Sequence, residues 1–256
     1  KRGFNNIRLI DPKKDLKVKI NNFGIETIEK NFNKKNLLKL EKKIGKFKVL
    51  IIRHVLEHSY NIKQFISNIK NIISDDGYAI FEIPDCEKSL RNKEYTMIWE
   101  EHTFYFTKHT FKKILLKYGF VIKFYKAVNY TLENSLIAIV KKNKNKVKIK
   151  NNIIPAQKKI FSSYCVNFKE NYFKVNSFFK NYKYKNKDKK ILIYGAGHFT
   201  STFISIMKLE KYIDFIVDDD DNKKGLFLPA GNIPIIHSTN IYKLKVGICL
   251  LSINPN

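Results

Sequence analysis

The sequence predicts an α/β protein in two parts, a larger sheet followed by a smaller one, and three observations carry this. First, Val49-Leu50-Ile51-Ile52 is an unbroken apolar run, the pattern of a strand buried on both faces. It breaks into the polar series Arg53-His54-Val55-Leu56-Glu57-His58. Second, Ile62, Phe65, Ile66, Ile69, Ile72 and Ile73 recur at helical spacing. The polar series therefore sits at a strand-to-helix transition, at the carboxyl end of a strand, where open α/β sheets take ligands. Third, Lys190 to Tyr194 reads as a strand running into Gly195-Ala196-Gly197, then a helix from Phe199 to Leu209 and a strand from Ile213 to Val217. That is one βαβ unit with a turn suited to phosphate.

In chain order, Asn6 to Ile10 is a short strand ended by Asp11, an acid placed to hold the two hydroxyls of a ribose or simply to open a turn before Pro12. Ile25 to Phe32 is a further strand and Leu37 to Ile44 a helix. Ser74-Asp75-Asp76-Gly77 reads as a turn, with Gly77 free to take a positive φ. It leads into the strand Tyr78 to Pro84, closed by proline. Residues 85–107 are irregular and aromatic. Phe111 to Tyr118 is a helix stopped by Gly119, and Phe120 to Tyr125 with Ser135 to Val140 pair as an antiparallel hairpin. Lys141 to Asn152 is nearly all Lys and Asn, the composition of a connector. Residues 155–183 have helical spacing interrupted around Asn171 and Asn176. The expected parts are 1–142, a connector over 143–189, and 190–256.

The 256 residues carry 49 basic and 23 acidic side chains, a net charge of +26. A balance this basic raises nucleic acid or an anionic membrane as partner. The lysines are spread through every segment with no arginine-rich block, which favours a solvated coat over a nucleic-acid surface. A basic nucleic-acid-binding module stays as the remote alternative. Cys86, Cys165 and Cys249 lie far apart with no CxxC pair, which argues against a disulfide framework or a zinc site and for a reducing cytoplasm. No apolar run approaches the roughly 20 residues that span a bilayer.

His54-Val55-Leu56-Glu57-His58 fits the H-x-x-E-H pattern of inverted zinc peptidases, which needs both histidines and the glutamate on one helix. Here the residues directly follow a strand, so the histidines fall in different backbone states and no metal is expected. A second polar cluster, Trp99-Glu100-Glu101-His102, follows the next apolar run. The two clusters are expected to face one pocket.

The acid-ended strand at Asp11, the segment Arg53 to His58, the turn at Asp75-Asp76-Gly77 and the strand Phe81-Glu82-Ile83-Pro84 resemble the second half of a class I S-adenosylmethionine-dependent methyltransferase. The glycine loop that precedes the acid-ended strand in that family is absent from the chain and is expected upstream of Lys1. Ile98-Trp99-Glu100-Glu101-His102-Thr103-Phe104-Tyr105-Phe106 resembles the tyrosine-x-Glu-His segment of nucleotide-sugar C-methyltransferases. The unit from Tyr194-Gly195-Ala196-Gly197 through Val217-Asp218-Asp219 to Ile233-Pro234-Ile235 is similar to their C-terminal domain. The resemblance implies a Rossmann-like methyltransferase sheet lacking its first part, followed by a second, smaller Rossmann-like domain.

It also implies methyl transfer from S-adenosylmethionine to a nucleotide-linked keto-sugar. A carbon beside a ketone must lose a proton before it attacks a sulfonium methyl, so a base is required, and the enolate oxygen needs a donor. In family register His102 is the base, Glu101 orients it or contacts sugar hydroxyls, and His58 stabilises the enolate. Asp11 holds the cofactor ribose, with Arg53, His54 and Val55 shaping that pocket. Gly195, Gly197, His198 and Asp218 hold the nucleotide-sugar. Trp99 departs from the family's tyrosine and has no hydroxyl to relay a proton, which leaves a sugar hydroxyl or amine open as acceptor beside carbon. Gly195-Ala196-Gly197 is also a partial dinucleotide fingerprint whose third glycine falls at Thr200. A nicotinamide-dependent nucleotide-sugar enzyme is therefore the alternative.

Overall fold

The computed structural model describes residues 8–10, 26–28, 34–99, 101–130, 134–143 and 155–252. The chain divides into two compact units. The first takes residues 1–85, 103–129 and 135–150, the second 86–102, 130–134 and 151–256.

In the first unit β1 (Arg8–Ile10) and β2 (Glu26–Ile28) pair in parallel. Helix α1 (Lys34–Ile44) leads to β3 (Phe47–Arg53), a short 3-10 turn at Leu56–His58, and α2 (Ile62–Ile72). Asn61 caps α2 by accepting the Gln64 N–H at 3.0 Å, and the helix buries Ile66, Ile69 and Ile72. β4 (Ile73–Pro84) runs parallel to β3. Helix α4 (Lys108–Lys117), capped by Thr107 with Thr110, stops at Gly119 with φ +82°. β5 (Phe120–Val128) and β6 (Ser135–Lys142) form the expected antiparallel hairpin. The described sheet has the order β3-β4-β6-β5. Phe81 of β4 centres the core, with Phe111 and Phe120 meeting it edge-on at 6.4 and 6.0 Å. Such pairs add about 0.5–1.5 kcal/mol beyond burial.

Two expectations fail in this unit. β3 is not covered on both faces: Ile52 is buried, whereas Val49 and Ile51 are 53% and 62% exposed. The strand lies at one edge of the described sheet, and only its Leu50–Ile52 face meets the core. Residues 74–77 do not turn, because β4 continues straight through them. Gly77 is needed there for space, not for a positive φ. A Cβ on it would lie 2.9 Å from the Lys48 carbonyl oxygen and 2.6 Å from Ile73 Cγ2, beside the register shift between Phe47 and Val49.

The second unit is built on a sheet of order β11-β7-β8-β10-β9, comprising β7 (Lys190–Tyr194), β8 (Phe215–Val217), β9 (Phe227–Leu228), β10 (Ile233–Ile236) and β11 (Val246–Leu251). All pairings are parallel except β9 with β10. Helix α6 (His198–Met207) follows β7 as expected. Helix α5 (Pro155–Lys185) is continuous, so the expected interruption at Asn171 and Asn176 is absent. Asn176 is tied in instead, its amide donating to the carbonyls of Tyr172 at 3.1 Å and Met207 at 2.8 Å. Tyr164, Phe168, Tyr172, Val175, Phe179 and Tyr182 pack α5 onto the unit's core.

The segment read as irregular contains a short helix α3 (Glu87–Asn92) and a 3-10 turn at Tyr95–Met97. Residues 86–102 belong to the second unit. Tyr95, 7% exposed, anchors them: its ring lies 4.6 Å from Tyr164 and 5.1 Å from Phe168, and its hydroxyl donates to the Tyr164 carbonyl at 2.9 Å. No helix among the described residues is long and apolar enough to cross a membrane.

Candidate functional site

In the first unit the candidate residues gather at the carboxyl ends of β3 and β4. Arg53 ends β3, and its Nε donates to Glu82 Oε2 at 2.6 Å. His54 sits in the left-handed region with φ +48°, rare for a side chain with a Cβ. Its backbone N–H bonds to the Glu82 carbonyl at 2.9 Å, which ties the start of the turn to β4. The imidazole lies between two carboxylates, with Nδ1 3.4 Å from Glu57 and Nε2 3.8 Å from Glu82. Glu57 is buried in the 3-10 turn, and its carbonyl accepts the N–H groups of Thr103 at 2.8 Å and Phe104 at 3.1 Å. Val55 is exposed and His58 half-buried.

His54 closes a strand and His58 ends a 3-10 turn, so the single-helix frame of an inverted zinc peptidase does not form. Asp11 and Glu100 lie outside the described residues. Glu82 was not singled out from sequence, although an acid near the end of a strand parallel to β3 was the available signal.

The second unit brings together residues that the sequence had placed in separate parts. The Trp99 ring stacks on His198, the first residue of α6, with centroids 3.5 Å apart and planes 3° from parallel. His102 lies on the other side of a tight turn, its N–H bonded to the Trp99 carbonyl at 3.1 Å and its ring 6.2 Å from the indole. Glu101 is exposed.

The adjoining glycine turn is held from within. Gly195 takes φ +108° and donates its N–H to the Val217 carbonyl at 2.7 Å. Thr200 is buried and donates its hydroxyl to the Gly195 carbonyl. Gly197 precedes α6 with open space where a Cβ would stand, and His198 Nε2 lies 3.1 Å from the Thr202 hydroxyl.

Asp218 completes the turn. Its carboxylate accepts the Ala196 N–H at 2.7 Å, the Asp220 N–H at 3.0 Å and the Lys223 ammonium at 3.0 Å. Burial raises its pKa, but these donors outweigh burial and hold it below the usual carboxylate range. Asp219 is held low by Ser238 and by the Tyr194 hydroxyl, which Asp219 in turn pushes up. Lys223 is a contributor that the sequence reading did not single out, and Thr200 entered it only as the place of a missing third glycine.

The candidate residues thus fall into two groups. Arg53, His54, Val55 and His58 belong to the first unit, and Trp99, Glu101, His102, Gly195, Gly197, His198 and Asp218 to the second.

Residues 1–123 match a methyltransferase domain and residues 130–251 a C-methyltransferase C-terminal domain. C-methyltransferase NovU of Streptomyces niveus is 24% identical over 98 residues, which are 38% of this chain and 23% of that protein. The match thus spans less than a quarter of that relative's length. An S-adenosylmethionine-dependent methyltransferase from Anabaena variabilis aligns at 12% identity and a TM-score of 0.44, covering 56% of this chain and 70% of that one. The PH0226 protein of Pyrococcus horikoshii aligns at 16% identity and a TM-score of 0.43, covering 56% and 73%.

Proposed function

We infer that this chain, which belongs to the methyltransferases and carries a C-methyltransferase C-terminal domain, moves a methyl group from S-adenosylmethionine to a carbon of a nucleotide-linked keto-sugar. The observation that carries the reading is the succession of those two domains along one chain. S-adenosylmethionine, when bound, supplies an electrophilic methyl group on a sulfonium. The first unit fits such a group: β3 ends in exposed Arg53, His54 and Val55 beside the carboxylate of Glu82, which offers polar contacts and an apolar wall together. Arg53, His54 and Val55 would hold the cofactor from the strand end, and Asp11 would take its ribose hydroxyls.

His102 is proposed as the general base that takes the proton from the carbon beside the ketone. Glu101 orients it or contacts sugar hydroxyls, and His58 donates to the enolate oxygen. The N–H groups at the start of α6, approachable past Gly197, suit the diphosphate, and Gly195 shapes the turn that leads to them. His198 and Trp99 give that end of the site a stacked aromatic wall. Asp218 is a positioning residue here, acting through the Ala196 N–H.

Two features support this over a nicotinamide enzyme. Thr200 fills the place of the third glycine and is tied to Gly195. The acid ending β8, which would take a ribose, is already engaged by three donors. The wide spacing of Cys86, Cys165 and Cys249 in the sequence goes with a cytoplasmic setting, and the scattered lysines favour a small anionic substrate over nucleic acid.

Calorimetric titration of the whole protein with S-adenosylhomocysteine and with NADH tests the cofactor; binding of NADH alone would overturn the proposal. His102→Ala is expected to lower kcat by about 10²–10⁴-fold while S-adenosylhomocysteine binding stays within about twofold. Unchanged turnover would remove His102 from the chemistry.

A further inference from the structure

Helix α5 has a second face that the core does not use. At 100° per residue, Val166, Glu170, Phe173, Ser177, Lys180 and Tyr184 lie within about 40° either side of one line, opposite the face that packs inward. All six are exposed, and Val166, Phe173 and Tyr184 are 58%, 66% and 77% exposed. Three of the four exposed large apolar side chains of α5 share this face, Phe178 lying outside it, and polar side chains stand between them.

The polar members of the stripe say what the contact is. Glu170 is the sole acid of α5, and among the described residues neither it nor Lys180 makes an ion pair within the chain. The stripe is symmetric about the level of Val175. Phe173 and Ser177 lie equally far on either side of it, as do Glu170 and Lys180, and Val166 and Tyr184. We propose that this stripe joins two copies of the chain, with their α5 helices antiparallel about a twofold axis at the level of Val175.

In that register Phe173 of one copy faces the small Ser177 of the other, Val166 faces Tyr184, and Glu170 faces Lys180. A twofold interface makes each contact twice. A parallel pair in register would set glutamate on glutamate and lysine on lysine, so the charges select the antiparallel arrangement. The seam from Val166 to Tyr184 is about 27 Å long at 1.5 Å per residue. At roughly 10 Å wide it buries well under the 1,200 Å² of a standard interface, so the dimer belongs to the weak, reversible class.

The test is sedimentation equilibrium of the whole protein from about 10 to 500 μM, at about 0.15 M salt, where the remaining positive charge is screened beyond about 8 Å. The wild type is expected to dimerise reversibly. Glu170→Lys and Lys180→Glu should each weaken the dimer at least tenfold, with helix content unchanged by circular dichroism. An equimolar mixture of the two variants should associate again, because both ion pairs are restored only between unlike partners. A wild type that stays monomeric over the range would overturn the proposal. So would a dimer indifferent to either substitution, or a mixture no more associated than its components.

Discussion

Asp218 is the residue whose role the coordinates change most, and Asp218→Asn is the variant that tests it. The carboxylate receives the Ala196 N–H, the Asp220 N–H and the Lys223 ammonium. An asparagine keeps one acceptor oxygen and puts an amino group where the other stood, facing donors. One backbone hydrogen bond to a charged acceptor is lost, worth about 1.5–3 kcal/mol. The partly exposed Lys223 pair adds under about 1 kcal/mol. The expected total is about 1.5–4 kcal/mol, and a unit of this size loses roughly 3–5 °C in Tm per kcal/mol. Scanning calorimetry should then show the second unit melting about 5–20 °C lower at pH 7.

The sign of the pH dependence gives a second readout. The folded pKa of Asp218 is depressed, so its stabilisation is present above the unfolded pKa near 3.8 and is lost as pH falls through the folded value. The gap between wild type and variant should therefore close as the solution is acidified below about pH 4. If Asp218 served only to contact ligand, the variant would melt with the wild type at pH 7 and lose binding instead. Equal melting temperatures would refute the turn-holding role.

Other consequences follow from packing and charge. Gly77→Ala should cost about 2–3 kcal/mol in denaturant unfolding, because one atom in its way is the Lys48 carbonyl oxygen, which cannot rotate aside; a cost below about 0.5 kcal/mol would show that the strands part easily there. His198→Ala should shift the emission of Trp99, the sole tryptophan, towards that of a solvated indole, since the stacked imidazole covers one face of the ring; an unchanged spectrum would mean that the stack does not persist in solution. Asp214 accepts from Lys183 and from the Ile191 N–H, and its pKa is held low by them against burial. Asp214→Asn should therefore destabilise at pH 7 and lose its effect below about pH 4, which urea unfolding at both pH values would check.

Local pattern was legible wherever local pattern decides structure. The strand, glycine turn and helix over Lys190 to Met207, the hairpin of β5 and β6, and the amphipathic α2 were readable because periodicity and turn residues agreed in each. The failures share another cause. The apolar run of β3 could not reveal that one face would stay open, since exposure depends on what lies beside the strand. Gly77 signalled a turn by composition but serves close strand approach. Asn171 and Asn176 read as helix breakers, and Asn176 instead spends its amide on Met207, a partner no window of sequence contains. The allegiance of residues 86–102 was least readable of all, because it is set by Tyr95 meeting residues about seventy positions away.

That last point bears on how the proposed chemistry would be divided. The sequence reading put Trp99, Glu101 and His102 in the same part as the strand-end residues, as the catalytic cluster of one shared pocket. Their fold puts them with the glycine turn and α6. On the proposed function, the side chain that removes the proton is then carried by the same compact unit that holds the nucleotide. Proton abstraction depends steeply on placing the base within hydrogen-bonding reach of one carbon. A base anchored beside the diphosphate turn keeps its distance to the bound sugar through internal contacts of one unit: Tyr95 on α5, Trp99 on His198, and the Trp99 carbonyl on the His102 N–H. Loosening any of these should lower kcat more than it weakens nucleotide binding, whereas loosening the Gly195 turn through Asp218 should do the reverse.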